Sequence, residues 1–288
     1  MKYKNKRKNK KIFIVIYLLL IFGFIGILTK SIYNDDSTLQ DKVYINDLKI
    51  SILGDSISTL EGISDNSTIN ATLGSNQSRY YANDISYEET EATLQLNSWK
   101  ETYWGTIIED LELDLVVNNS WRGTSVSTVR GASSCTSGTR ATQLHSYDGK
   151  TPDIIVIYIG TNDYTSSADV GDYSSVEDIY DGSNYIGDTS TFSEAYATMV
   201  HKIKNKYKKA DIYLCNLIYG TSLGISYNNA IDLIAKEYDC NVVDFSQLVS
   251  TWNWTNHCMD GLHPNADGFK LMADILKDKL LDNYSYKK

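Results

Sequence analysis

The stretch that most constrains this chain is Asp153-Ile154-Ile155-Val156-Ile157-Tyr158-Ile159. A strand with one wet face alternates apolar and polar residues; this run is almost continuously apolar. It therefore expects cover on both faces, as a strand inside a parallel sheet has. Four weaker runs accompany it, at residues 49–53, 115–118, 211–218 and 240–245. Between and after them lie helical patterns at 98–111, 191–207, 228–238 and 267–281. Strand followed by helix, repeated, implies an α/β fold with a parallel sheet. With the five strands ordered 2-1-3-4-5, strands one, two and three lie side by side, and ligands bind beyond their carboxyl ends.

The helical spacings carry their own detail. In 98–111, Trp99, Tyr103, Ile107, Ile108 and Leu111 share a side, with Ser98 as N-cap and Glu101 completing a capping box. In 191–207 the inner stripe is Phe192, Ala195, Tyr196, Met199, Val200 and Ile203. Two polar insertions, 62–97 and 165–190, are long for structureless connections, so the first reads as a functional loop or lid. The acids Asp169, Asp172, Glu177, Asp178 and Asp181 could hold Ca²⁺, but a solvated loop is the better reading.

The amino terminus is separate in character. Residues 1–11 hold seven Lys or Arg and no acid, and residues 12–28 are 17 residues without a charge. The positive-inside rule puts this basic flank in the cytoplasm and the rest outside. The apolar run is near the short limit for a membrane span. No small-residue cleavage site follows it, so an uncleaved signal anchor is favoured over a cleaved signal peptide. The expected organisation is a basic flank at 1–11, an anchor at 12–29, a stalk at 30–47 and one catalytic domain at 48–288. The chain carries −9 overall, and −16 beyond the basic flank. A body this acidic speaks against nucleic acid or anionic lipid as partners. The four cysteines, Cys135, Cys215, Cys240 and Cys258, match no zinc spacing. Cys215 and Cys240 read as small core residues; a Cys135–Cys258 bridge is possible outside the membrane.

Three strings carry chemistry: Gly54-Asp55-Ser56 after strand one, Gly160-Thr161-Asn162-Asp163 after strand three, and Asp260-Gly261-Leu262-His263 before the last helix. Each has a bland reading: an N-cap, a turn, a helix-capping pair. Together they supply a hydroxyl nucleophile, an amide donor for an oxyanion, and an imidazole with a carboxylate to orient it. Gly123, in the loop after strand two, adds a backbone N–H that can approach a substrate oxygen closely. Among the other histidines, His201 reads as structural or solvated, and His257 is the rival of His263 for the base.

The ordered set resembles the SGNH (GDSL-type) hydrolase family, whose four letters here are Ser56, Gly123, Asn162 and His263. The second block departs from the family pattern, since Trp121-Arg122 stands where small residues are usual. The resemblance spans about residues 48–281. It implies a flavodoxin-like three-layer sandwich and hydrolysis of esters without a metal or other cofactor. Similar anchored or secreted members often remove acyl groups from carbohydrates. Ser56, His263 and Asp260 would then be catalytic, with Ser56, Gly123 and Asn162 forming the oxyanion hole.

Substrate is less constrained. Trp121, Arg122, Trp252 and Trp254 are candidate substrate-binding residues, because flat aromatic faces suit sugar rings and the last two lie close to His263. Trp99 and Trp104 read as helix core. No long apolar stretch reads as a lipid tunnel. The expected activity is removal of O-acetyl or another small acyl group from a carbohydrate. The alternatives are a lipase, arylesterase or thioesterase of the same fold, or an inactive glycan-binding module.

Overall fold

The computed structural model describes residues 43–59, 96, 98–131, 135–136, 139–146 and 148–286. The expected anchor, and the 62–97 insertion apart from Leu96, lie outside the described residues. Among the described residues no helix is long and apolar enough to cross a membrane. In chain order the regular elements are β1 (Lys49–Gly54), α1 (Tyr103–Leu111), β2 (Asp114–Asn118), β3 (Ile154–Tyr158), α2 (Thr161–Thr165), β4 (Tyr180–Asp181), β5 (Asn184–Tyr185), α3 (Phe192–Lys206), β6 (Asp211–Cys215), α4 (Ser222–Glu237), β7 (Asn241–Val243) and α5 (Ala266–Asn283).

Every residue of β3 is buried. It pairs in parallel with β1 on one side and β6 on the other. The five-stranded sheet runs β2-β1-β3-β6-β7, all parallel. The labels depart from the expected 2-1-3-4-5 because the two-residue strands β4 and β5 intervene in the chain as a separate antiparallel hairpin. Strand order reverses at β1, between β2 and β3. Right-handed crossovers must then put α1 on one face and α3 and α4 on the other. The packing agrees: α1 lies against α5, and α3 against α4. This is a three-layer α/β sandwich, with the reversal between β1 and β3.

Several element ends differ from the sequence expectation, each for a local reason. The 98–111 helix divides. Ser98 caps only a 3-10 turn at Trp99–Glu101. Thr102 is the cap of α1, its Oγ1 accepting from Gly105 N at 3.0 Å. The helix expected at 228–238 starts six residues earlier, because Thr221 caps it through Gly224 N at 3.1 Å. The strand expected at 240–245 stops at Val243, where Asp244 caps a 3-10 turn, Phe245–Ser250. The last four residues assigned to the stalk belong to the domain: Ile45 is fully buried, and Tyr44 bridges Ser285. The inner stripe of α3 is buried as expected.

The four cysteines form no disulfide. Cys215 lies fully buried in β6. In the 165–190 insertion, Asp178 caps the backbone at Ser174 and Ser175, and Asp169 accepts from Gly171 N. Among the described residues no cluster of three or more His, Cys, Asp or Glu is placed to hold a metal ion.

Candidate active site

Gly54 closes β1 at a point where no side chain fits. A Cβ there would lie 2.4 Å from Ser58 Oγ and 2.6 Å from the carbonyl oxygen of Tyr158. This close approach lets the chain turn straight from the sheet into the 3-10 turn Ser56–Ser58. Asp55, not Ser56, caps that turn, accepting from Ile57 N at 3.1 Å. The Ser56 hydroxyl is thus left for His263, whose Nε2 lies 2.9 Å from Ser56 Oγ. On the far side of the ring, His263 Nδ1 lies 2.7 Å from Asp260 Oδ2. The other oxygen of Asp260 accepts from the backbone N–H groups of Leu262 and His263, at 3.0 and 2.8 Å. These short-range bonds fix the carboxylate on its own loop. His263 is buried, while the Asp260 side chain is 38% exposed.

Asn162 sits in α2, just beyond β3, and is buried. One of its two amide hydrogens goes to the carbonyl of Thr124 at 2.9 Å; the amide has a second to offer. Gly123, next to Thr124, is exposed and has φ +69°, a conformation that favours glycine. The Gly123 loop and the Asn162 amide are therefore tied together. Of the remaining histidines, His257 accepts from Asn253 N at 3.1 Å and packs against Trp252. His201 stacks on Tyr180, and His145 bonds Tyr207.

The model of the GDSL-like lipase/acylhydrolase family matches residues 48–280. The chain belongs to that family. It is a serine ester hydrolase. Among solved structures, a GDSL-like lipase from Bacteroides ovatus is 24% identical with TM-score 0.59, covering 82% of this chain and 98% of its own. A second, from Bacteroides uniformis, is 24% identical with TM-score 0.57, covering 82% and 94%. A family two carbohydrate esterase from Clostridium thermocellum, solved with cellohexaose, is 16% identical with TM-score 0.50, covering 85% of this chain and 66% of its own. At these identities the likeness is one of fold. No curated protein matches the chain.

In this GDSL-like hydrolase, two buried charges clamp the loop between β2 and Thr128. Arg140 is 2% exposed. Its Nη1 donates to the carbonyls of Gly54 and Asn119 at 2.8 and 3.1 Å. Its Nη2 donates to Thr124 Oγ1 at 3.1 Å and to Cys135 Sγ at 2.8 Å. Asp163 is fully buried and takes the opposite groups, accepting from Val126 N, Ser127 N and Ser127 Oγ at 2.8, 2.8 and 2.6 Å. Burial pushes the Asp163 carboxyl up, and the Ser127 hydroxyl with the two N–H groups pulls it back. Asp55 has fewer donors. Burial pushes it up to about 7, with the Ile57 N–H and Arg140 lowering it and Asp163 raising it further.

The candidate substrate residues divide. Trp121 is built into the loop: its Nε1 donates to Asn119 Oδ1 at 2.9 Å and its ring lies under Arg140, 5.4 Å away. Arg122 is half-buried between Trp121 and Gly123. Trp252 is 9% exposed, packs against Gly268 and lines the same cavity as Trp254. Trp254 is half-buried and stacks on Tyr219 with centroids 5.4 Å apart; Tyr219 stacks in turn on Tyr164 at 3.8 Å. This ladder lines a cavity of about 450 Å³ that reaches Gly261 and Leu262, beside His263.

The sequence reading missed Arg140, Tyr164 and Tyr219 as parts of the site. Tyr164 and Tyr219 follow the carboxyl ends of β3 and β6, so their position on the ligand-binding edge was the available signal. Arg140 sits in a polar stretch, Ser137-Gly138-Thr139-Arg140, where nothing marks it for burial.

Proposed function

We propose that this esterase works by two-step acyl transfer at Ser56. His263 Nε2 takes the Ser56 proton as Oγ attacks the ester carbonyl carbon. Asp260 holds the imidazole in the tautomer that leaves Nε2 free to accept, and stabilises the imidazolium that forms. The carbonyl oxygen becomes an oxyanion facing the N–H groups of Ser56 and Gly123 and the second amide hydrogen of Asn162. Collapse expels the alcohol, which takes its proton from His263. Water then attacks the acyl-enzyme with His263 again as base, releasing the acid and restoring Ser56. The observation that carries this reading is the unbroken relay from Ser56 Oγ through His263 to Asp260, at 2.9 and 2.7 Å.

The substrate we propose is a carbohydrate bearing a small acyl group such as acetyl. The aromatic ladder beside the Asp260–His263 loop supports it, because flat ring faces and edges pack against the C–H faces of sugars. The cavity there, about 450 Å³ and lined by aromatic rings with Thr165 and Thr221, suits a sugar ring. We also propose that the domain acts outside the cytoplasm, held by the basic and apolar segments at residues 1–29; the charge pattern supports this.

Full-length protein assayed on p-nitrophenyl acetate, beside Ser56→Ala, tests the chemistry. The expected result is loss of roughly 10³-fold or more in kcat with the variant. Equal rates would overturn it. Acetate release from acetylated polysaccharides, set against hydrolysis of longer-chain acyl esters, tests the substrate class.

A further inference from the structure

A second cavity, about 620 Å³, lies next to the first along the carboxyl edge of β6 and β7. Tyr219, Gly220 and Val249 line both. Gly220 packs closely against Val249 between them: a Cβ there would lie 2.4 Å from Val249 Cγ1. The catalytic loop, the aromatic ladder and this second cavity therefore adjoin in sequence along one edge of the sheet. Both volumes fall in the range of roughly 300–1,000 Å³ usual for small-ligand sites.

We propose that the second cavity binds an unacylated sugar unit of the same glycan whose acylated unit lies at Ser56. The proposal rests on the carbohydrate-esterase reading and extends it from a single residue to a chain. Its lining is rich in hydrogen-bond acceptors. Asn216 is 3% exposed and its Nδ2 donates to Asp232 Oδ1 at 3.1 Å, which fixes the orientation of the amide. Asn216 lines the cavity, and its Oδ1 takes no hydrogen bond from any described residue. Asp232 and Asp244 each keep one carboxylate oxygen without a described partner, and Asn229 adds an exposed amide. Asp244 spends its other oxygen on Ser246. Such a site wants hydroxyl donors. Two carboxylates repel an anionic ligand. Among the described residues the acids are too few for a metal cluster. Ile225 and Val249, 52% and 38% exposed, supply apolar surface for the C–H face of a pyranose. An uncharged polyol ring meets all of these features at once.

The test compares kcat/KM on an acetylated hexasaccharide with that on the acetylated monosaccharide, in the full-length protein. Asp232→Ala removes an acceptor; Ile225→Trp, at an exposed position that lines the second cavity and not the first, narrows it. The wild type is expected to favour the hexasaccharide by about tenfold, through KM, and each variant to bring the ratio close to one. A wild-type ratio near one, or a ratio unchanged in both variants, would overturn the subsite. The two readings fail separately. Hydrolysis of p-nitrophenyl acetate with no chain-length preference removes the subsite and keeps the esterase. In Ser56→Ala protein, calorimetry with unacylated cellohexaose, xylohexaose and chitohexaose reads the cavity without turnover. Binding to one of them that Ile225→Trp weakens tenfold supports the subsite even if the esterase chemistry were to fail, and binding to none, or binding that Ile225→Trp leaves unchanged, overturns it.

Discussion

The two halves of the site are held in opposite ways. Ser56, Gly123 and Asn162 stand at the ends of three adjacent strands, and their positions depend on residues far away in sequence: Arg140 on Gly54, Asn162 on Thr124, Asp163 on Ser127. The Asp260–His263 half is held within its own loop, by bonds spanning two or three residues and by the Cys258–Pro264 bridge. Ser56, Asn162 and His263 are buried, while Gly123 and the Asp260 side chain meet solvent. The donors we propose for the oxyanion are placed by long-range contacts, while the proposed proton relay runs through a short loop with one carboxylate open to solvent. Preorganised donors cost no reorganisation during reaction, so rigidity is most useful on the first side.

That contrast can be broken at several points. The largest effect is expected from Asp260→Asn, which presents a donor where the ring needs an acceptor and so favours the wrong tautomer. In serine triads this costs roughly 10⁴ in kcat, and a similar loss is expected here with the thermal midpoint nearly unchanged, because the loop keeps its backbone. A Tm drop of many degrees would show that the loop is not locally held. Asn162→Ala should cost about 10²–10³ in kcat, the usual effect of losing one oxyanion donor. It should also lower Tm by a few degrees through the lost Thr124 bond. Next comes Arg140→Met, which keeps bulk and removes charge. Steady-state kinetics should show a loss of roughly tenfold or more, mainly in kcat. Stability should fall by about 1–3 kcal/mol, since the buried Asn119 carbonyl loses a donor. A fall in stability with kcat intact would make Arg140 scaffolding alone.

The smallest effect is on pH dependence. Asp55 is pushed up from 3.8 to about 7 by burial, so between these values the folded state binds more protons than the unfolded. Its contribution to stability therefore declines as pH rises through that window and is flat above it. Asp55→Asn still accepts from Ile57 N and does not titrate. Relative to wild type, the variant should gain on the order of 2–4 kcal/mol between about pH 4 and pH 7.5. Denaturant melts at both pH values check this; a constant difference would place the Asp55 carboxyl in its ordinary range.

The same contrast explains what could be read from the chain. The Asp260–His263 loop is local, so spacing alone predicted which groups would meet. The parallel sheet was legible because β3 is apolar on both faces, and a solvated strand would alternate. Helix ends were misplaced where a threonine cap, at Thr102 or Thr221, outcompeted the apolar period that the reading followed. Arg140 could not have been found this way. A buried cation whose partners are carbonyls of residues 21 and 86 positions away leaves no local pattern.

The pairing of Tyr44 with Ser285 has a practical side. The domain's polypeptide begins and finishes at a common pole, the amino end of a parallel sheet, and Ser56 and His263 occupy the other. A fluorescent protein, a scaffold peptide or a solid support joined at either end would leave the catalytic mouth unobstructed. The two ends are also near enough for a short bridge to splice them, so the domain is a natural candidate for circular permutation, with new termini cut into a surface turn such as Gly182.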